Sequence, residues 1–383
     1  MNDGKILTNM VALFENVTNI TWQMAVMWII GAILIYLAIK KEMEPSLLLP
    51  MGFGVILVNL PMSGAITQGT EEGALSVLFD AGIANELFPL ILFIGIGAMI
   101  DFGPLLSNPK MLLFGAAAQF GIFFTLSMAR LFGFELVDAA SIGIIGAADG
   151  PTSIFVANYF HSNYSAAITV AAYSYMALVP MIQPPVIKMI TTKKERMIRM
   201  KYEQKDISPA VRILFPIIVT MIAGFVAPKS VALVGFLMFG NLIRECGVLR
   251  SLSETAQNVL ANLITIFLGI TVAVNMKAET FLCWETLLIF ALGLISFIFD
   301  TIGGVFFAKF LNLFSKNKIN PMIGAAGISA FPMASRVVHK MGRDEDPGNF
   351  LLMHAAGANV AGQVGSVIAG GLVMTLVSAA LGL

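Results

Sequence analysis

The stretch Ile145-Gly146-Ala147-Ala148-Asp149-Gly150-Pro151-Thr152-Ser153 sets a carboxylate and a helix-breaking Gly-Pro pair in the middle of a membrane-grade apolar region. An ionisable residue at bilayer depth costs about 2.5–3.5 kcal/mol on insertion scales, so it marks a functional site by default. A related break follows at Ile323-Gly324-Ala325-Ala326-Gly327-Ile328-Ser329-Ala330-Phe331-Pro332. It repeats the Ile-Gly-Ala-Ala opening and again ends in Pro, but has no acid at the place of Asp149. Paired Gly/Pro-interrupted segments in the two halves of a membrane protein point to a transport site near the bilayer midplane.

The surrounding chain fits that setting. Of 383 residues, 57% are hydrophobic and only 12% charged, more apolar surface than a water-soluble domain of this size hides in a core. The fold class expected is an all-α polytopic membrane protein. A net charge of zero, with Lys and Arg dispersed or at span ends, excludes a nucleic-acid role. Cys246 and Cys283 lie in no CxxC and near no His cluster, so neither a disulfide framework nor a zinc site is expected. The segment from Met1 to Gln23 lacks a basic region followed by an apolar core and cleavage site, which leaves membrane targeting to the first span.

Apolar runs long enough to be spans fall at residues 22–39, 46–60, 87–100, 111–131, 164–187, 212–227, 230–243, 258–275, 284–308 and 350–382. Between Lys188 and Arg212 lies a basic segment whose charge places it in the cytoplasm, with residues 191–207 as the linker between halves. From that anchor the acidic loop Pro61 to Glu86 is outside, while Lys40, Lys41 and Lys110 are inside. Orientation then closes only if segment 139–162 enters from outside, turns at Asp149-Gly150-Pro151 and returns outside. Segment 319–340 likewise enters and leaves on the cytoplasmic side, and the last span runs outward to Leu383. Residues 22–190 and 208–383 are therefore expected to be inverted repeats. Each has about five spans and one re-entrant helical hairpin, the tips meet near the bilayer centre, and both termini lie outside.

Unwound backbone at such a tip exposes carbonyls that lack intrahelical partners, a natural cage for a cation. Asp149 adds a negative charge and Thr152 and Ser153 add hydroxyls, while Asn320, Ser329 and Asn359 bring further oxygens from the second half. Hard oxygen ligands without His or Cys suit Na⁺ or another alkali or alkaline-earth ion. Asp149 is also a good N-cap, but a neutral Ser or Asn would cap at lower desolvation cost. Asp300, a second intramembrane acid in span 284–308, fits an ion path or a helix contact equally well. His161, His339 and His354 have no metal-ligand spacing.

Three stretches together resemble one family: Asp149-Gly150-Pro151-Thr152, the opening Lys40 to Gly54, and Asn359-Val360-Ala361-Gly362-Gln363-Val364-Gly365-Ser366. They are similar to the membrane beta subunit of the biotin-dependent, sodium-pumping decarboxylases, which act on oxaloacetate, methylmalonyl-CoA or glutaconyl-CoA. The resemblance covers nearly the whole chain. It implies that the functional aspartate is Asp149 and that a tyrosine used in proton and sodium handling is Tyr175. The family's Asn, Gly, Ser and Arg are implied to fall on Asn320, Gly324, Ser329 and Arg336, with Asn359 as a further ion ligand.

Further expectations follow from the resemblance. Na⁺ is the transported ion, held by Asp149, Asn320, Gly324, Ser329 and Asn359. Carboxybiotin is decarboxylated with proton consumption, and the guanidinium of Arg336 offers charge-assisted hydrogen bonds to that planar anion. No Met-Lys-Met attachment site occurs, the nearest being Ile187-Lys188-Met189 and Met276-Lys277-Ala278, so no cofactor is attached covalently and biotin must arrive on another polypeptide. Implied partners are biotin carrier and carboxyltransferase subunits, a small membrane subunit, lipid of the cell inner membrane, and further copies of the chain in a trimer. Two alternatives are a secondary Na⁺/carboxylate symporter of two-hairpin architecture, with Arg336 on the substrate carboxylate, and a non-transporting membrane scaffold.

Overall fold

The structure is a computed structural model, and it describes residues 16–42, 45–201 and 206–382. Met43, Glu44, Lys205 and Leu383 lie outside the described residues, as does most of the segment before the first span. The described residues are helical, their one β-feature being the isolated bridge of Gln68 with Glu71. In chain order the principal helices of the first half are α1 (Trp22–Lys40), α2 (Pro45–Val58), α3 (Leu87–Met99), α4 (Leu112–Ala117), α5 (Phe120–Leu131), α6 (Leu136–Gly143), α7 (Gly150–Tyr159) and α8 (Ser165–Ile190). After the linker come α9 (Pro209–Val226), α10 (Val231–Glu245), α11 (Ala261–Val272), α12 (Trp284–Phe314), α13 (Met322–Ala325), α14 (Met333–Glu345) and α15 (Leu352–Leu381). Among the described residues six helices are long and apolar enough to cross a membrane, or eight if each of two bent pairs is one span.

The chain divides into two compact units. One comprises residues up to Phe88 together with Leu263–Leu287. In it α1 and α2 cross at Gly31 and Gly52, where a Cβ on Gly31 would stand 2.7 Å from the Gly52 carbonyl oxygen. Small residues at such a crossing let backbones approach, the main route to packing where lipid removes the hydrophobic drive. Buried Asn59 then pins the end of α2: its Nδ2 donates to the Val55 and Met276 carbonyls, and its Oδ1 accepts the Ala278 amide at 2.7 Å.

The other unit holds Pro89–Asn262 and Leu288–Leu383, and with them every residue singled out for ion or carboxybiotin chemistry. Two interrupted segments fold back on themselves there. In the first, α6 tightens into a 3₁₀ turn at Ile144–Ala147, Ala148 takes a left-handed conformation (φ +51°), and α7 begins at Gly150. Asp138 at the start of this segment accepts hydrogen bonds from Ser162 Oγ (2.6 Å) and the Asn163 amide (3.2 Å) at its end, so entry and exit adjoin. In the second, α13 ends at Ala325, residues 326–332 are unwound, and α14 follows. Asn320 and Asn349, before and after it, both donate to the carbonyl of Arg196, so this segment too begins and ends at one place.

Helix α15, largely buried, is the post on which both breaks are mounted. Its Gly362 lies against the backbone of Gly327 and Ile328, and its Ala361 backbone lies on Gly115 of α4. Any Cβ at these glycines would run into backbone, which cannot yield as a side chain does. Helix α8 carries Pro180, Pro184 and Pro185 and bends by 68° between residues 167–176 and 178–190.

Candidate functional site

Asp149 sits at the first break with 3% of its surface exposed. Because Ala148 is left-handed and Asp149 extended, the carboxyl turns back over the start of α7, where Oδ1 accepts the Thr152 amide at 3.3 Å. This is the N-cap expected of such a residue. The other oxygen does more. Oδ2 accepts Ser366 Oγ at 2.8 Å and Gln363 Nε2 at 3.1 Å, both from α15. Among the described residues no Lys, Arg or His pairs with it, so its charge is solvated by dipoles alone.

The second break is docked on the first. Ser329 donates twice to the Ala147 carbonyl, from its amide at 3.2 Å and its hydroxyl at 2.6 Å, two residues before the carboxylate. Asn359 donates Nδ2 to the Ile328 carbonyl at 2.7 Å, and Gln183 on α8 donates Nε2 to that of Ala325 at 2.7 Å. Each buried amide leaves its oxygen, Asn359 Oδ1 and Gln183 Oε1, without a partner among the described residues. Orphaned hard oxygens beside unwound backbone are donors fitted to an alkali cation and poorly fitted to a transition metal.

The other expected residues stand elsewhere. Asn320 is fully engaged at the start of the segment: Nδ2 binds the Arg196 and Ile198 carbonyls at 2.8 and 2.9 Å, and Oδ1 accepts the Met322 amide. Gly324 is a crossing point, its backbone against that of Gly304 on α12. Tyr175 donates its hydroxyl to the Phe290 carbonyl at 2.5 Å, on α12. It is Tyr173 whose ring lies against Gly150, next to Asp149, with its hydroxyl unpartnered among the described residues. Arg336 is exposed on α14, on the face that also carries Lys340 and Arg343, and no ion pair of the described residues includes it. One turn further along α14, Lys340 with Asp344 and Glu345 faces Lys188 of α8 across a cleft of about 350 Å³ walled by Pro180, Pro184, Val337 and Met341.

Sequence reasoning did not single out Gln363 and Ser366, which bind Asp149, or Gln183, which binds the second break. A signal for the first two was present: Asn359, Gln363 and Ser366 fall at i, i+4 and i+7, one polar stripe on an otherwise apolar helix. Nothing local distinguishes Gln183.

Beneath the second segment the linker is strapped down. Arg196 pairs with Glu345 at 2.7 Å, Arg199 with Asp346 at 2.6 Å, and Lys309 with Glu195 at 3.0 Å. Hydrogen bonding from the Arg199 guanidinium holds the Asp346 carboxyl below the usual carboxylate range.

A many-helix membrane unit with two interrupted helical segments docked tip to tip, and an unpaired buried carboxylate at the junction, defines an ion-transport protein. Residues 23–377 match the family described as the Na⁺-transporting oxaloacetate decarboxylase beta subunit, and the chain belongs to that family. It is 49% identical to the glutaconyl-CoA decarboxylase subunit beta of Acidaminococcus fermentans, over 93% of this chain and 94% of the relative. Identity is 50% to the methylmalonyl-CoA decarboxylase subunit beta of Veillonella parvula (92% and 93%) and 43% to the oxaloacetate decarboxylase beta chain of Klebsiella pneumoniae (93% and 95%). All three are decarboxylase subunits, and the symporter alternative is not favoured.

Proposed function

We propose that this chain is the membrane subunit of a biotin-dependent decarboxylase pump, which removes CO₂ from carboxybiotin and moves Na⁺ from the cytoplasm outward while consuming a proton. The observation that carries this reading is Asp149: buried, held by Ser366, Gln363 and the Thr152 amide, and paired with no fixed cation among the described residues. An anion so placed binds a mobile cation or a proton, and alternation between the two is what a pump of this kind requires. Asn359 Oδ1 and Gln183 Oε1 complete the oxygen set, with Ser329 fixing the second tip against the first.

Arg336, on the exposed face of α14, would hold the carboxylate of carboxybiotin carried by a separate subunit through charge-assisted hydrogen bonds. Asn320 holds the linker to that segment, and Tyr173 and Tyr175 flank the path by which a proton reaches Asp149 or biotin. The two halves are inverted repeats in the inner membrane, so the interrupted segments open to opposite sides. Carboxyltransferase and small membrane subunits complete the assembly. Moving one charge against 100 mV costs about 2.3 kcal/mol, so decarboxylation must wait on ion occupancy. Asp149→Asn in the assembled complex is expected to abolish Na⁺-stimulated decarboxylation; sodium-dependent turnover at the wild-type level would refute the assignment.

A further inference from the structure

Asp300, at the middle of α12, is fully buried and plays no part in the sodium site described above. Its Oδ1 accepts the Gly121 amide in the first turn of α5, with the Ile122 amide beside it. Ser296, one turn earlier on α12, donates to the Gly121 carbonyl at 3.1 Å. Oδ2 has no partner among the described residues. It faces the 3₁₀ turn that ends just before Asp149: a Cβ built on Gly146 would stand 2.6 Å from Oδ2 and closer still to Ser296 Oγ.

Among the described residues no charged group pairs with this carboxyl. Arg130 of α5 is committed to the Phe134 carbonyl, Asp138 of α6 to Ser162 and Asn163, and Asp149 to Ser366 and Gln363. Tyr175 of α8 donates to Phe290, and Lys309 of α12 pairs with Glu195. A carboxylate oxygen enclosed this way needs a donor or a cation. On the side of Gly146 the backbone closes directly on Oδ2, and a proton is the cation that needs no room there.

We infer that Asp300 is a second ion-binding acid of this protein, whose ligand is a proton held on Oδ2 and enclosed by the turn at Gly146. Binding forms one O–H bond on the carboxylate and breaks none in the protein, and the proton is exchanged with water when that turn leaves α12. The turn also positions Asp149, three residues on, so occupancy at Asp300 and the seating of the sodium-site aspartate are linked, each favouring the other by the same factor.

Infrared spectroscopy of the full-length protein in lipid tests this. A protonated-carboxyl C=O band, shifted in D₂O, is expected in the wild type at neutral pH, retained in Asp149→Asn and lost in Asp300→Asn. If Asp300→Asn leaves the protonated-carboxyl bands unchanged, Asp300 is ionised and the proposal fails. Gly146→Ala gives an independent reading, since its methyl group must displace Oδ2 and shift the same band; an unmoved band again overturns it. Linkage is read in the complex: Asp300→Asn is expected to shift the pH profile of Na⁺-stimulated decarboxylation, and an unchanged profile would reduce Asp300 to a static helix contact.

Discussion

Asp149 offers its oxygens to two different tasks: Oδ1 caps α7 through the Thr152 amide, while Oδ2 takes Ser366 and Gln363 from α15. A hydrogen bond to a charged group is worth about 1.5–3 kcal/mol. Ser366→Ala and Gln363→Ala are therefore each expected to let protons compete better for the carboxylate. The half-saturating Na⁺ concentration of decarboxylation should rise roughly ten- to hundredfold at neutral pH. Unchanged sodium dependence in both variants would remove α15 from the site. The acid itself was legible as a charge beside Gly-Pro in an apolar run. Its α15 partners, more than two hundred residues away in the chain, show only as a polar stripe at helical spacing, which does not reveal what the stripe faces. Tyr173 and Tyr175 illustrate the same limit. Two residues apart, they necessarily face different ways, and only packing sets one ring on Gly150 and the other hydroxyl on Phe290.

At the scale of elements, the positions of the apolar helices were readable because apolar length is a one-dimensional property, although among the described residues six to eight of them, not the ten expected, are long and apolar enough to cross a membrane. Helices α1, α3, α9, α10 and α12 begin within about three residues of the runs seen in the sequence, a shift of the size expected at helix ends. Breaks inside a span are harder to see. The interruption at Ala118–Gln119 carries no Pro, and one turn before it Gly115 lies against the Ala361 backbone of α15, a contact no local pattern reveals. Gly324 likewise looked like part of an ion cage and stands as the crossing point of α13 with Gly304. Gly324→Ala should destabilise the protein by about 1–3 kcal/mol through overpacking against backbone. The control Gly235→Ala, whose nearest foreign atom is 3.8 Å away, should be close to neutral. Thermal unfolding in detergent separates them, and equal midpoints would show that the crossing is not tight.

Across the whole molecule, the linker is fastened to the second interrupted segment by Arg196–Glu345 and Arg199–Asp346. Since Arg199 lowers the proton affinity of Asp346 in the folded state, that pair's contribution is present above the ordinary carboxylate range and is lost as pH falls through the lowered value. Proteolysis at the linker should accelerate at acid pH in the wild type and be fast at all pH values in Asp346→Asn; identical profiles would mean the strap does not fasten it. Polytopic class and the two breaks could be read from one sequence, because charge and apolar runs are local. That the two tips meet was expected from the paired breaks, but the particular hydrogen bonds of Ser329 to the Ala147 carbonyl were not, since nothing in either stretch encodes a contact across the fold. Direct Na⁺ binding to the purified full-length protein, followed by sodium NMR or calorimetry at fixed pH, is the sharpest single measurement. Saturable binding is expected in the wild type and in Arg336→Lys, and its loss in Asp149→Asn. Undiminished Na⁺ binding in Asp149→Asn would contradict a buried carboxylate compensated by a mobile alkali ion.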